Sequence, residues 1–196
     1  MAGKTSESIT EFTVNGYGSV FTFNESLLNL LNNPYVKNVQ EDFTVSEYNA
    51  GSIDHDKVSV QITRDGAMMQ NPEYSVNDLS EKNGWHKYEY VISRDNFSSD
   101  GIYRIVISTV DSDGNKSETL KEDRLAAVFY VDTTKPELVL VTGLGKKNYN
   151  ASEIDVKYEL FDAMRIAKVE VYIDGVRTKE ITDVEEITQY LGSFSV

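Results

Sequence analysis

The chain is expected to be all-β: two β-sandwich units in tandem, the second incomplete, with one short helix near residues 24–31. Three observations predict this. Apolar residues alternate with polar ones at a period of two, as at Val58, Val60 and Ile62 and again at Tyr103, Ile105, Ile107 and Thr109. Successive side chains of a strand point to opposite faces, so such runs bury one face. Turn formers separate the runs, Asp65-Gly66 and Asp174-Gly175 being the strongest hairpin signals. Finally, Val58-x-Val60-x-Ile62 before Asp65-Gly66 returns as Val169-x-Val171-x-Ile173 before Asp174-Gly175, an internal repeat.

The elements follow in order. Ile9 to Phe23 reads as a bent first strand, with Gly16 and Gly18 permitting a kink. Asn24 can cap a helix carrying Leu27, Leu28, Leu30 and Leu31, and Pro34 helps stop it. Phe43 to Tyr48 is a strand, then the Val58–Ile62 strand. Met69 to Gly84 is less regular, with Pro72, Asn77-Asp78 and Asn83-Gly84. Tyr88, Tyr90 and Ile92 mark another strand, and Asn96 to Gly101 turns a corner into the Tyr103–Thr109 strand. Ala127 to Val131 is the last strand of the first unit.

Asp132-Thr133-Thr134-Lys135-Pro136 is the joint, which Pro136 should make short and stiff. Residues 1–134 form the first domain, with its extra N-terminal strand and helix, and residues 135–196 the second. Strands are expected at Glu137–Val141, Ile154–Leu160 and Val169–Ile173, and the chain reaches only Gln189–Val196 in the course the first unit follows. The second domain should therefore leave an open sheet edge.

Composition narrows function. With 32 acidic against 19 basic residues the net charge is −13 over 196 residues. Such a surface repels nucleic-acid phosphates and anionic lipid, so neither is an expected partner. There is no cysteine, which excludes disulfides, thiolate catalysis and cysteine-bound zinc. The Leu27–Leu31 run is far short of the ~20 apolar residues that span a bilayer. Met1 to Ile9 is polar, without an apolar signal core, and Met1-Ala2-Gly3 reads as the start of a segment cut from a longer chain.

Phe97-x-x-Asp100-Gly101-x-Tyr103, Asp111-x-Asp113-Gly114-Asn115 and Val131-Asp132-Thr133-Thr134-Lys135-Pro136 together resemble the immunoglobulin-like repeat domains of Gram-positive surface proteins and adhesins. The resemblance implies tandem immunoglobulin-like sandwiches, with Tyr103 as the corner tyrosine, Gly101 before it and Pro136 at the joint. Ile105 stands where antibody domains carry a disulfide cysteine. The implied role is a non-enzymatic structural or adhesive module, a spacer or ligand-presenting domain of a secreted or wall-attached protein. Its partners would be neighbouring domains of the same polypeptide, a host protein or a glycan. The alternative is a carbohydrate-binding accessory module of a large surface enzyme.

Two constellations carry chemistry worth weighing. Asp111, Asp113, Asn115, Ser117 and Glu122 fall at positions 1, 3, 5, 7 and 12 of a calcium-loop template, which makes calcium the one candidate cofactor. Lys116 stands where that loop needs Gly, so a turn-rich hairpin loop competes with calcium. Trp85, Tyr48 and Tyr74, with Tyr17, could form an aromatic platform for the apolar face of a sugar, although tyrosine is common in sandwich cores. Gly143-Leu144-Gly145-Lys146-Lys147 lacks the spacing of a phosphate loop and reads as a turn. No catalytic residue is assigned, and His55 and His86 read as a solvated turn and a packing residue.

Overall fold

A computed structural model describes residues 18–82, 84–119, 127–140, 142, 153–182 and 188–195. The chain divides into two compact units between Val131 and Asp132. The start of the expected first strand, Tyr17, Glu122 and the Gly143–Asn150 loop lie outside the described residues.

The first unit begins with β1 (Val20–Phe23) and helix α1 (Glu25–Asn32). The Asn24 side chain accepts the Leu27 N–H at 3.2 Å, which satisfies one of the helix's free donors. Leu27 and Leu30 turn inward, as their i, i+3 spacing requires. Then come β2 (Tyr35–Val36), β3 (Phe43–Asn49), β4 (Ser59–Arg64), β5 (Ala67–Met68), β6 (Tyr74–Lys82) and β7 (Trp85–Ile92). A 3-10 turn at Arg94–Phe97 leads into β8 (Gly101–Val110), β9 (Lys116–Glu118) and β10 (Ala127–Val131).

These strands make two sheets. One has the antiparallel order β1-β3-β7-β6. The other has the order β2-β10-β8-β4-β5, with β9 hairpinned onto β8, and β2 runs parallel to β10. Inward residues from both sheets merge into one core that includes Phe43, Val45, Tyr88, Tyr90 and Ile92 from the first and Ile62, Tyr103, Ile105, Ile107 and Phe129 from the second. Phe43 meets Phe129 edge-on with ring centroids 5.6 Å apart.

Two expectations need correction. Met69–Gly84 is not simply irregular: it contains the nine-residue strand β6. Its own alternation is weak, since Tyr74, Val76 and Asp78 share the face that pairs with Ile92, Tyr90 and Tyr88 but only Val76 is partly buried, and its pairing to β7 supplies the order. The repeat also aligns differently in three dimensions. Both hairpins turn on two residues, Asp65-Gly66 (φ 52°, 80°) and Asp174-Gly175 (φ 51°, 79°). Aligned on the turn, Val60 and Ile62 match Val169 and Val171, a shift of two residues that keeps the same faces inward.

The second unit holds β11 (Glu137–Leu140), β12 (Asp155–Phe161), β13 (Val169–Ile173), β14 (Val176–Ile181) and β15 (Gln189–Ser195). β11-β12-β15 form one antiparallel sheet and β13-β14 a separate hairpin. Its core is small: Tyr158, Ile166, Val169 and Val171 are buried, with Leu160, Ile181, Tyr190 and Phe194 packed beside them. Among the described residues nothing pairs with the edge of β13 away from β14.

Candidate functional site

The most unusual chemistry lies at one pole of the first unit. β3 alternates Phe43, Val45, Glu47 and Asn49 inward, so the strand period carries a carboxylate into the core. Glu47 is fully buried. The Thr109 hydroxyl on β8 donates to Glu47 Oε1 at 2.7 Å, and the Tyr90 hydroxyl on β7 donates to Oε2. Among the described residues Glu47 makes no ion pair. Burial pushes its carboxyl pKa up, the hydroxyl bonds from Ser19, Tyr90 and Thr109 pull it down without cancelling that, and the nearby Asp111 charge adds to the rise. Burial, then the Glu47 charge, pushes the Tyr90 phenol upward as well.

This network reaches the loops. Asn49 donates from Nδ2 to Ser19 Oγ at 2.8 Å, and its Oδ1 accepts the Gly51 N–H at 2.8 Å. Ser117 Oγ accepts the Ser19 N–H at 2.9 Å, and Tyr88 Oη accepts the Ile53 N–H at 3.1 Å. A Cβ on Gly18 would stand 2.5 Å from that Ser117 hydroxyl, and φ there is +87°, so only glycine fits. Glu47 thus sits beneath the junction of the β3–β4 and β8–β9 loops.

Of the residues proposed for calcium, Asp111 is buried and already engaged by its own loop. Its Oδ1 accepts the Asp113 and Asn115 N–H groups at 3.0 and 2.8 Å, and Oδ2 accepts Asn115 Nδ2 at 2.9 Å. Burial alone would raise its pKa, but these bonds hold it below the usual aspartate value. Asp113 and Asn115 are exposed, and Glu122 lies outside the described residues. Among the described residues no group of three or more His, Asp or Glu could hold a metal ion. A cleft of about 380 Å³ opens beside this loop, lined by Lys57, Ser108, Thr109, Lys116, Ser117 and Glu118.

The three aromatics divide. Tyr48 faces away from the core opposite Lys87, whose Nζ lies 5.8 Å from the Tyr48 ring centre. Trp85 is two residues along β7 on the same face, a diagonal neighbour of Tyr48. Tyr74 pairs with the buried Ile92 at the other end of β7, roughly 23 Å away along the strand, yet is itself exposed at the sheet edge. Tyr48 and Trp85 therefore share a sheet face that Tyr74 does not. His55 lies edge-on to Tyr88 at 5.6 Å with its Nε2 3.7 Å from Asp78 Oδ2, and His86 stacks on Tyr88 at 6.3 Å.

Tyr103 spans the corner: its hydroxyl donates to the Ser99 carbonyl at 2.8 Å, and its ring meets Phe97 edge-on at 5.1 Å. Gly101 has φ +154°, and a Cβ there would stand 2.7 Å from Arg64 Cγ. This close approach lets Asp65 Oδ1 accept the Ile102 N–H at 2.8 Å. At the joint, Asp132 Oδ1 accepts the Thr134 N–H at 3.0 Å just before Pro136. No protein-family model matches the chain, and no curated protein matches it.

The buried network was legible only in part. Alternation from Phe43 through Val45 already places Glu47 inward, but the sequence gives no sign of which hydroxyls meet it.

Proposed function

We propose that the chain is a tandem immunoglobulin-like structural module, a spacer or ligand-presenting segment of a secreted or cell-wall-attached protein. The observation that carries this reading is the corner bond from Tyr103 to the Ser99 carbonyl, at the entry of the central strand of its sheet. The sheet orders β1-β3-β7-β6 and β2-β10-β8-β4-β5 support it. They correspond to A-B-E-D and A′-G-F-C-C′ of an immunoglobulin-type sandwich. The second unit repeats A-B-E as β11-β12-β15 and C-C′ as β13-β14.

A spacer must bear tension, and the parallel pairing of β2 with β10 suits that task. Pulling the chain before Pro34 and after Val131 loads this ladder in shear, so its hydrogen bonds resist together. Tyr130 N–H donates to the Pro34 carbonyl at 2.7 Å, and the Tyr35 and Tyr130 rings stack at 4.4 Å. Single-molecule pulling tests this. Tyr130→Ala should lower the unfolding force of the first unit, and an unchanged force would remove the mechanical argument.

The glycan-binding alternative is favoured by one observation: Tyr48 and Trp85 share an outward sheet face beside Lys87. A glycan and matrix-protein array decides between the two. Binding that disappears in Trp85→Ala makes the module a recognition domain, and silence leaves the spacer reading.

A further inference from the structure

We propose that Glu47 is a proton-operated latch in the first unit: holding a proton, it fastens the pole where the β3–β4 and β8–β9 loops meet, and losing it loosens that pole. The inference does not depend on the spacer reading.

The geometry gives three reasons. A carboxylate sealed from water needs a cation or a dense set of N–H donors to remain charged. The partners of Glu47 are instead hydroxyls, those of Tyr90, Thr109 and Ser19. A hydroxyl donates to a carboxylate and also accepts from a carboxylic acid, so the same three groups can satisfy the protonated form by rotating their O–H bonds. The network is therefore complete without charge.

The groups around it work in the same direction. From the end of β8, Asp111 adds negative charge, and its own loop holds it as an anion with two N–H bonds and the Asn115 amide. Two nearby carboxylates do not both ionise freely, so the one without N–H donors keeps the proton. β7 contributes Tyr90, whose phenol burial and the Glu47 charge hold in its neutral form, with Tyr88 two residues along the strand. β1 faces Glu47 with Phe21, an apolar side chain.

The latch engages both loops because its partners are their roots. Thr109 stands two residues before Asp111, and Asn49 two residues after Glu47. Ser19 ties Asn49 to Ser117 on β9. An ionised Glu47 draws water or additional donors toward itself, and that disturbance reaches all of these bonds.

The test uses the full chain. Carbon-13 NMR of the Glu47 carboxyl should give a titration midpoint above the ordinary glutamate range. Hydrogen exchange at the Ser19 and Ile53 amides should be compared with Glu47→Gln at each pH, so that base catalysis cancels. Protection in the unaltered chain should fall relative to the variant as pH rises through that midpoint. A midpoint at or below the ordinary glutamate value overturns the proposal without any variant. Parallel protection profiles in the two chains overturn it as well.

Discussion

The two units use the same two-residue Asp-Gly hairpin, yet they bury very different cores. In the first, β8 lies at the centre of its sheet, paired on both edges with β10 and β4, and sends Tyr103, Ile105 and Ile107 inward. In the second, β13 stands beside β14 alone among the described strands. Leu138, Val176 and Leu191 remain 65%, 66% and 71% exposed there, and a trough of about 260 Å³ runs between the two sheets, lined partly by Val156, Tyr158 and Val169. Strands arise from local alternation and turn chemistry. A sandwich core arises only when a central strand joins segments distant in sequence, and that strand dominates the burial.

The sharpest way to break the comparison is to remove a ring from the larger core. Phe97 touches Phe43, Tyr103 and Phe129 at centroid separations of 5.4, 5.1 and 5.1 Å. Phe97→Ala should cost the first unit about 3–5 kcal/mol by lost transfer and a residual cavity. Denaturant unfolding, followed by NMR signals assigned to each unit, should show the first unit's midpoint falling while the second's stays. A common shift would mean that the units unfold as one.

The next effect comes from matched glycines. Gly101→Ala drives a Cβ to within 2.7 Å of Arg64 Cγ at φ +154°, and should cost about 2–3 kcal/mol of backbone strain. In the second unit, Gly175 has φ +79° but open space around it, so Gly175→Ala should cost only about 1 kcal/mol. Equal losses in the two variants would show that the Arg64 contact relaxes freely. Gly192 sharpens the same test within the smaller core. It stands opposite Tyr158, and a Cβ there would lie 2.2 Å from Tyr158 Cζ. Gly192→Ala should displace that ring, visible as a change in Tyr158 chemical shifts.

Smaller again is the corner bond. Tyr103→Phe leaves the ring packed against Phe97 and Phe129 and removes only the hydroxyl that reaches the Ser99 carbonyl. The expected loss is about 1 kcal/mol, read as a change in denaturant midpoint. A loss as large as that of Phe97→Ala would mean that the hydroxyl fixes the corner backbone.

The legibility of the molecule follows the same division. Tyr103, Asp65-Gly66, Asp174-Gly175 and the Asn24 cap were readable because each acts within a few residues of itself. β2, β6 and β9 were not, because their order comes from partners: β2 from β10, β6 from β7 and β9 from β8. The aromatic platform was legible only in part, with Tyr48 and Trp85 on one face and Tyr74 on the other, for a related reason. Which face a tyrosine occupies depends on register, and Tyr74 pairs with Ile92 on one face of the sheet while Tyr48 pairs with Lys87 on the other.

The smallest effect is also the most discriminating, because Glu47 in the first unit and Glu170 in the second should answer pH with opposite sign. In the first, Glu47 has its pKa raised by burial, so the folded state holds its proton more tightly than the unfolded state. That favours folding at low pH, and the advantage is lost as pH rises above the unfolded value of about 4.3 and through the folded value. In the second, the Lys168 and Arg177 hydrogen bonds lower the Glu170 pKa. Its contribution is present above the unfolded value and is lost as pH falls through the folded one. Lys168 Nζ, just before β13, and Arg177 Nη1 on β14 lie 3.0 and 3.1 Å from the partly exposed Glu170 Oε1 on β13, at a surface where salt screens them. Unfolding should therefore be followed unit by unit between pH 3 and 8, at low salt and at about 1 M salt, where the Debye length is ~3 Å. Raising the salt should flatten the acid-side response of the second unit and leave the neutral-side response of the first, because screening reaches a surface ion pair and not a carboxylate sealed inside a core. If both responses flatten together, the Glu47 charge is felt through solvent and the buried network is open to water.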